Sequence, residues 1–471
     1  MNFLSVEFLI FFLVLLTCLA VSKRKEVQQV ILLIASYVFY VNSSIKFAVL
    51  LFVISLIMWL LGKQIEKNSG NRKAKLFLAV GVIADLFVLG YFKYFNFFIE
   101  NFAKVFQLEY SVMNIMLPLG ISFYIFQSIS YIADVYLGKI SAEKSLIRVM
   151  LYIAFFPQIT SGPIVKAHKF FCQLDERHAI VKENIYWGMQ RFVLGAFKKV
   201  VIADRLGRCV DAVYSAPAAY SSVSLIMAII SYSLQIYYDF SGYSDMAIGV
   251  AHVLGFDLGS NFNLPYLAKN PSDFWRRWHI SLSSWFRDYV YIPLGGSRKG
   301  KLRTYLNLFI TMLLSGLWHG ASWAFVVWGA LHALFSTMHK IFADITKKNN
   351  MQIQSGTIKK IISFLSVIVT YIVVSILWVP FRTNDIVQAI DIIKLVLANN
   401  TGAFYVYTYT VIFAIGLIII ELISMKKNNG NDIWIPLNLD KLWCKVIFCT
   451  FVVFTVVFAY IGDSAFIYAQ F

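Results

Sequence analysis

Apolar residues dominate this 471-residue chain in long runs separated by short polar stretches. The runs fall at 3–22, 27–43, 46–62, 76–95, 113–133, 146–160, 185–203, 222–238, 243–255, 304–318, 321–338, 359–379, 404–424 and 442–461. A run of about 20 such residues makes a helix long enough to cross a bilayer core. Runs shorter than about 17 residues are expected as tilted or re-entrant pieces. The pattern predicts an all-α polytopic membrane protein with about eleven full crossings. It reads as one membrane-embedded domain over 1–471. Residues 1–95 and 346–471 are plain scaffold helices, and 96–345 hold the histidines and nearly all Gly-Pro interruptions.

One run breaks the simple rule. From Tyr305 to Met338 the chain is apolar almost throughout, and a single helix of about 34 residues would be roughly 50 Å long. A bilayer core is only about 30 Å thick, so the chain must turn inside the run. Gly316 and Gly320 mark the place. The piece before the turn, 304–318, is about 15 residues, too short to cross fully. His319 then lies recessed below one membrane face, at a turn. An ionisable side chain at that depth is a functional-site candidate.

Composition sharpens the class. Hydrophobic residues make up 59% and charged residues 14%, more apolar surface than a soluble chain could bury. The net charge of +17 reads as the positive-inside bias of a many-span protein and not as nucleic-acid binding. Lysines and arginines cluster in loops, among them Lys23 to Lys25, Lys63 to Lys75, Arg298 to Arg303, Lys340 to Lys360 and Lys426 to Lys445. Placing these loops in the cytoplasm puts both termini outside and the His319 turn nearer the outer face. The first run lacks the basic start of a cleaved signal. The five cysteines (Cys18, Cys172, Cys209, Cys444, Cys449) show no metal-ligand spacing and read as packing residues. Thr17 makes the stretch before Cys18 a poor lipid-attachment motif.

Four polar clusters interrupt the central runs. Leu117 to Ser128 carries Pro118, Gly120 and Ser122; Phe155 to Ile164 carries Pro157, Gln158 and Pro163. In both, Pro and Gly free backbone groups to line a cavity. Gln235 to Asp245 holds Asp239 and Asp245 about a short turn at Ser241 and Gly242. Each carboxylate at mid-membrane costs about 2.5–3.5 kcal/mol unless paired or wet. Pro271 to Tyr289 spaces Trp275, Trp278, Leu282, Trp285 and Tyr289 on one helical face, with Arg276, Arg277, Ser284, Arg287 and Asp288 on the other. That spacing predicts one interfacial amphipathic helix after Pro271, with His279 at the border between the faces.

A neutral imidazole can take the proton of a hydroxyl and make it a nucleophile toward a thioester or ester carbonyl. No serine elbow, phosphate loop or metal-ligand cluster competes with His319 for that role. The region from about 117 to 335 resembles the membrane-bound O-acyltransferases, and within them the alginate O-acetyltransferase branch. The matching stretches are Pro118 to Phe123, Phe156-Pro157-Gln158 with Gly162-Pro163, Asp239 to Asp245, Asp273 to His279, Tyr291 to Gly296 and Gly316 to Gly320, with Phe466 to Tyr468, Gln470 and Phe471 at the end.

The resemblance implies a ring of helices around a central funnel with the histidine at its neck. It implies that His319 is the catalytic histidine and His279 a second polar position near the acyl donor. Asp239, Asp245, Trp275, Arg276, Arg277, Trp278, Trp318, Gln158 and Ser122 become candidates for substrate binding, the arginines toward a phosphate-bearing donor. No bound cofactor or metal is expected. The donor is acetyl-CoA or another acyl thioester, the acceptor an extracytoplasmic polysaccharide, and an exported SGNH-type transferase or hydrolase the partner. The alternatives are D-alanyl transfer to teichoic acids, transport of a lipid-linked sugar, and a structural subunit that recruits a secreted enzyme. The paired discontinuous helices of an inverted-repeat transporter are not seen.

Overall fold

The structure is a computed structural model that describes every residue except 161, 177–179, 349–355, 428–433, 435, 461 and 463–471. Ser161 and the terminal stretch Phe466 to Phe471 thus lie outside the described residues. Among the described residues the chain is helical, with one isolated bridge between Tyr220 and Ala403. Among the described residues five helices are long and apolar enough to cross a membrane: Ile45–Lys67, Arg72–Phe106, Ser222–Val253, Gly356–Thr383 and Thr408–Lys427. Val6–Val21, Leu146–Ile159 and Leu442–Val457 are shorter apolar helices.

Two compact units emerge. The first comprises Met1–Phe192 with Ser244–Gly259. Its helix Ile121–Tyr136, buried along most of its length, starts eight residues later than the hydrophobic run predicts. Gly120 explains the delay. It holds φ +68°, and a Cβ there would stand 2.0 Å from the Ile159 carbonyl oxygen. Only glycine fits both demands. Gly162 is as confined, with a hypothetical Cβ 2.6 Å from Gln158 Cα. The Pro-Gly clusters therefore serve tight backbone packing here. Ser122 accepts a hydrogen bond from Lys93 at 3.3 Å, and the Gln158 amide donates to the Tyr152 carbonyl at 2.8 Å.

The second unit comprises Val193–Tyr243 with Ser260–Phe471. Ser222–Val253 is one unbroken helix of 32 residues, where the sequence predicts a turn at Ser241 and Gly242. Gly242 is instead a contact point. A Cβ on it would lie 2.7 Å from the Gly195 carbonyl. Ser241 is buried within the same helix.

Helix pairing also explains the two aspartates. Asp239 lies 2.6 Å from the Lys199 ammonium, which also meets Asp204 at 2.8 Å. Within the first unit, Asp245 meets Arg191 at 2.7 Å. Lys198 meets Glu421 at 2.6 Å with both side chains buried. Charges removed from water persist when paired in this way. In the structure Asp239 and Asp245 thus serve as partners of buried cations.

The expected break in the Tyr305–Met338 run is present. Helix Lys301–His319 ends at His319, Gly320 is extended at φ −171°, and helix Trp323–Lys348 runs back. Gly316 is not part of the turn. It sits inside the first helix, where a Cβ would meet Gly329 Cα at 2.6 Å. Two glycines facing each other let the backbones of the hairpin touch. The first arm has 19 residues, about 28 Å at 1.5 Å per residue. It is longer than the hydrophobic run alone suggests, because Lys301 to Arg303 begin the helix.

Candidate active site

The second unit holds both candidate histidines. His319 is the last residue of its helix and is 2% exposed. Its ring packs against Trp318, Trp328 and Phe381, with centroids 4.9, 5.0 and 5.3 Å away. Gly320 keeps this corner tight, since a Cβ there would fall 2.2 Å from the Phe325 ring, and Phe325 in turn packs on Phe381 at 5.0 Å.

His279 arrives from a different element. The single amphipathic helix predicted over the Trp-Arg-Arg-Trp stretch is two short helices, Pro271–Arg277 and Ile280–Phe286. His279 sits at the joint with φ +43°, in the left-handed region. A histidine tolerates that conformation better than a bulky apolar residue, yet at a cost. The loop at Asn261 compensates by pinning the joint. Its carbonyl accepts from Ile280 N at 2.9 Å, and its side chain holds Ser281.

The same asparagine fixes the tautomer of His279. Asn261 Oδ1 accepts from the Ser281 hydroxyl at 2.9 Å and from the Ser281 amide at 3.3 Å. A backbone N–H only donates, so the atom is an oxygen. His279 Nδ1, 3.1 Å away, must then carry the proton it donates. The basic nitrogen of neutral His279 is Nε2. The ring is fully buried against Phe240 at 4.6 Å and against Trp318 at 6.0 Å. Trp318 thus packs on both imidazoles, at 6.0 Å from His279 and 4.9 Å from His319.

The break turns the tryptophans as well. Trp278 is fully buried, stacked on Phe274 at 5.6 Å and packed on Trp378 at 4.9 Å. It belongs to a protein interior and not to a lipid-facing stripe. Trp275 packs on Trp328 at 5.9 Å. Arg277 is held by Asp273 at 3.0 Å and donates to the Asn263 carbonyl. Arg276 is exposed and, among the described residues, has no ion-pair partner.

A cavity of about 300 Å³ opens beside this cluster. Trp275, Arg276, Ser284, Arg287, Ser315 and Ser336 contribute to its wall. It reaches Ser315, one helical turn before His319, and Trp275 in its wall packs on Trp328, which in turn packs on the His319 ring. Among the described residues no group of three His, Cys, Asp or Glu side chains is placed to hold a metal ion.

The structure brings His279, His319, Trp275, Trp278 and Trp318 into one cluster, with Arg276 at the cavity wall. It ties Asp239 and Arg277 into ion pairs of the second unit. Ser122, Gln158 and Asp245 are built into the first. His332, Asn261 and Ser336 were missed by sequence reasoning. His332 is 1% exposed and packs on Trp328 at 4.7 Å and Trp275 at 5.1 Å. The signal was present: a third histidine in an apolar run, 13 residues past His319.

The chain thus combines helices long and apolar enough to cross a membrane with buried imidazoles beside a cavity that has arginines on its wall. Residues 140–379 match the model of MBOAT, the membrane-bound O-acyltransferase family. The chain belongs to that family, and it is a membrane-embedded O-acyltransferase. It is 38% identical to the probable alginate O-acetylase AlgI of Pseudomonas aeruginosa over 391 residues, 82% of this chain and 73% of that protein. It is 34% identical to the peptidoglycan O-acetyltransferase of Helicobacter pylori over 418 residues, 83% of this chain and 77% of the relative. The teichoic acid D-alanyltransferase of Bacillus subtilis is 32% identical over 248 residues, 50% of this chain and 62% of that protein.

Proposed function

We propose that this protein carries an acyl group, acetyl in the best reading, across the membrane for O-acetylation of an extracytoplasmic polysaccharide. Alginate-like exopolysaccharide, cellulose and peptidoglycan are the acceptor classes. The observation that carries this reading is the extent of the likeness. Two O-acetylating relatives align over more than four-fifths of the chain, whereas the D-alanyl-transferring relative aligns over half. Transfer of D-alanine to teichoic acid is the second reading.

In this reading His319 takes the proton from the acceptor hydroxyl, and His279 assists through Nε2, held in register by Asn261. The donor is a cytoplasmic acyl thioester such as acetyl-CoA. The arginine-walled cavity lies along the helix Lys301–His319, from Leu308 to Ser315, and that helix begins in the basic stretch Arg298 to Arg303, which positive-inside topology assigns to the cytoplasm. Arg276 and Arg287 there suit a donor phosphate. Both termini then lie outside the cytoplasmic membrane of a bacterium. About eleven crossings form a ring with the histidines at its neck. An exported SGNH-type protein completes transfer to the polymer.

The test is acetyl content of the wall or exopolymer in cells carrying His319→Ala at normal membrane abundance. Loss of acetyl with unchanged D-alanine supports the reading. Undiminished acetylation ends it, and loss of D-alanine instead selects the second reading.

A further inference from the structure

Several polar atoms near the cavity are buried without a partner. Both ring nitrogens of His332, the Ser336 hydroxyl and the indole nitrogens of Trp275 and Trp328 lack hydrogen-bond partners among the described residues. His332 and Ser336 are one helical turn apart on Trp323–Lys348, so they share a face. Trp275 and Ser336 both line the cavity, and the Trp275 and Trp328 rings flank the His332 imidazole. Each buried unpaired group costs about 1–3 kcal/mol, which makes such a cluster expensive unless something fills it. Indole nitrogens only donate, a hydroxyl can donate, and a neutral imidazole does both. The complement of this corner is a hydrogen-bond acceptor.

We propose that Trp275, Ser336 and His332 form the leaving-group subsite of the transfer reaction. This rests on the acyl-thioester reading above. Trp275 N–H and the Ser336 hydroxyl meet the departing sulfur. Ser336 gives it a proton, and His332, one turn away on the same face, replaces that proton once the donor is bound. The balance closes. The acyl carbon gains its bond to the acceptor oxygen and loses its bond to sulfur. The acceptor proton goes to His319, a proton from the His332 side ends on the thiol, and solvent returns the proton from His319 to His332. The Trp275 and Trp328 rings, with centroids 5.1 and 4.7 Å from that of His332, fix the place of the imidazole in this corner. His332 acts through Ser336 and is thus a positioning and proton-supplying residue.

The experiment uses the full-length protein in vesicles and two acetyl thioesters, one of an alkyl thiol and one of an aryl thiol. Hydroxylamine is the acyl acceptor, and thiol release is the readout. An aryl thiolate leaves without a proton at neutral pH, whereas an alkyl thiolate leaves poorly unless protonated. His332→Gln should slow release from the alkyl thioester about 100-fold, the lower end of general-acid effects. Release from the aryl thioester should stay within about three-fold of wild type, as expected when proton transfer is not limiting. Ser336→Ala should discriminate in the same direction and serves if His332→Gln fails to accumulate. Equal slowing with both donors, or none with either, overturns the subsite. If the unaltered protein releases no thiol above empty vesicles, the acyl-thioester reading itself falls, and this inference with it.

Discussion

His319 and His279 show how much one side chain depends on its neighbours. His319 has no freedom of place. It ends a helix, three aromatic rings enclose it, and glycine follows because nothing larger fits. His319→Ala should lower acyl transfer at least about 100-fold, the low end of what a general base contributes, with membrane abundance unchanged. Quantified acetyl ester per mole of protein checks this. His279 depends on a single partner. Asn261→Ala removes the acceptor of Nδ1 and frees the tautomer. A hydrogen bond worth about 1 kcal/mol predicts a several-fold fall in turnover, with substrate affinity nearly unchanged. Turnover equal to wild type would show that His279 needs no orientation. The sequence made His319 legible because an imidazole in an apolar run is rare. It hid the left-handed joint at His279, because the helical spacing of the tryptophans continues straight through it. The break follows from Asn261, 18 residues away, and no local pattern encodes that partner.

At the scale of elements, close helix packing replaces several expected turns. The sequence marks Gly316 and Gly242 as breaks, yet each sits inside a helix with a neighbouring backbone against it. Glycine interrupts a helical pattern on paper and permits contact in three dimensions, and only the partner helix decides which. Gly320 shows the other outcome, at a true turn. The hairpin that carries His319 is therefore sensitive at Gly316 and Gly329. Gly316→Leu should force the arms apart and destabilise by about 1–3 kcal/mol or more, as overpacking does. Gly416, in helix Thr408–Lys427, has nothing within 4 Å of a hypothetical Cβ, so Gly416→Ala is the control and should be neutral or slightly stabilising. Thermal unfolding in detergent with transfer activity alongside makes the comparison. Equal tolerance at both glycines would mean that the hairpin does not rely on contact at Gly316.

Across the molecule, buried charge is spent in pairs. Lys198 with Glu421, Lys199 with Asp204 and Asp239, and Arg191 with Asp245 join residues up to 223 positions apart in the chain. The hydropathy pattern made the all-helical membrane class legible, the quoted motifs made the family legible, and the apolar setting made Asp239 and Asp245 stand out as costly. It gave no sign of their partners, because pairing across the chain leaves no periodic trace. The Lys198–Glu421 pair offers the clean test, since Glu421 sits on Thr408–Lys427, outside the histidine cluster, and also accepts from Tyr237 at 3.2 Å. Lys198→Met leaves Glu421 buried and uncompensated, a change that costs about 3–5 kcal/mol in buried pairs. Lys198→Met with Glu421→Leu removes both charges and should recover most of that loss, because a buried pair replaced by apolar side chains of similar size is often neutral. Thermal stability and membrane abundance of the two variants are the measurements. A double variant as unstable as the single one would mean that the pair holds the fold by geometry and not by mutual neutralisation. Recovery of stability with normal acetylation would separate the scaffold charges from the chemistry and leave the aromatic-enclosed histidines as the reacting centre.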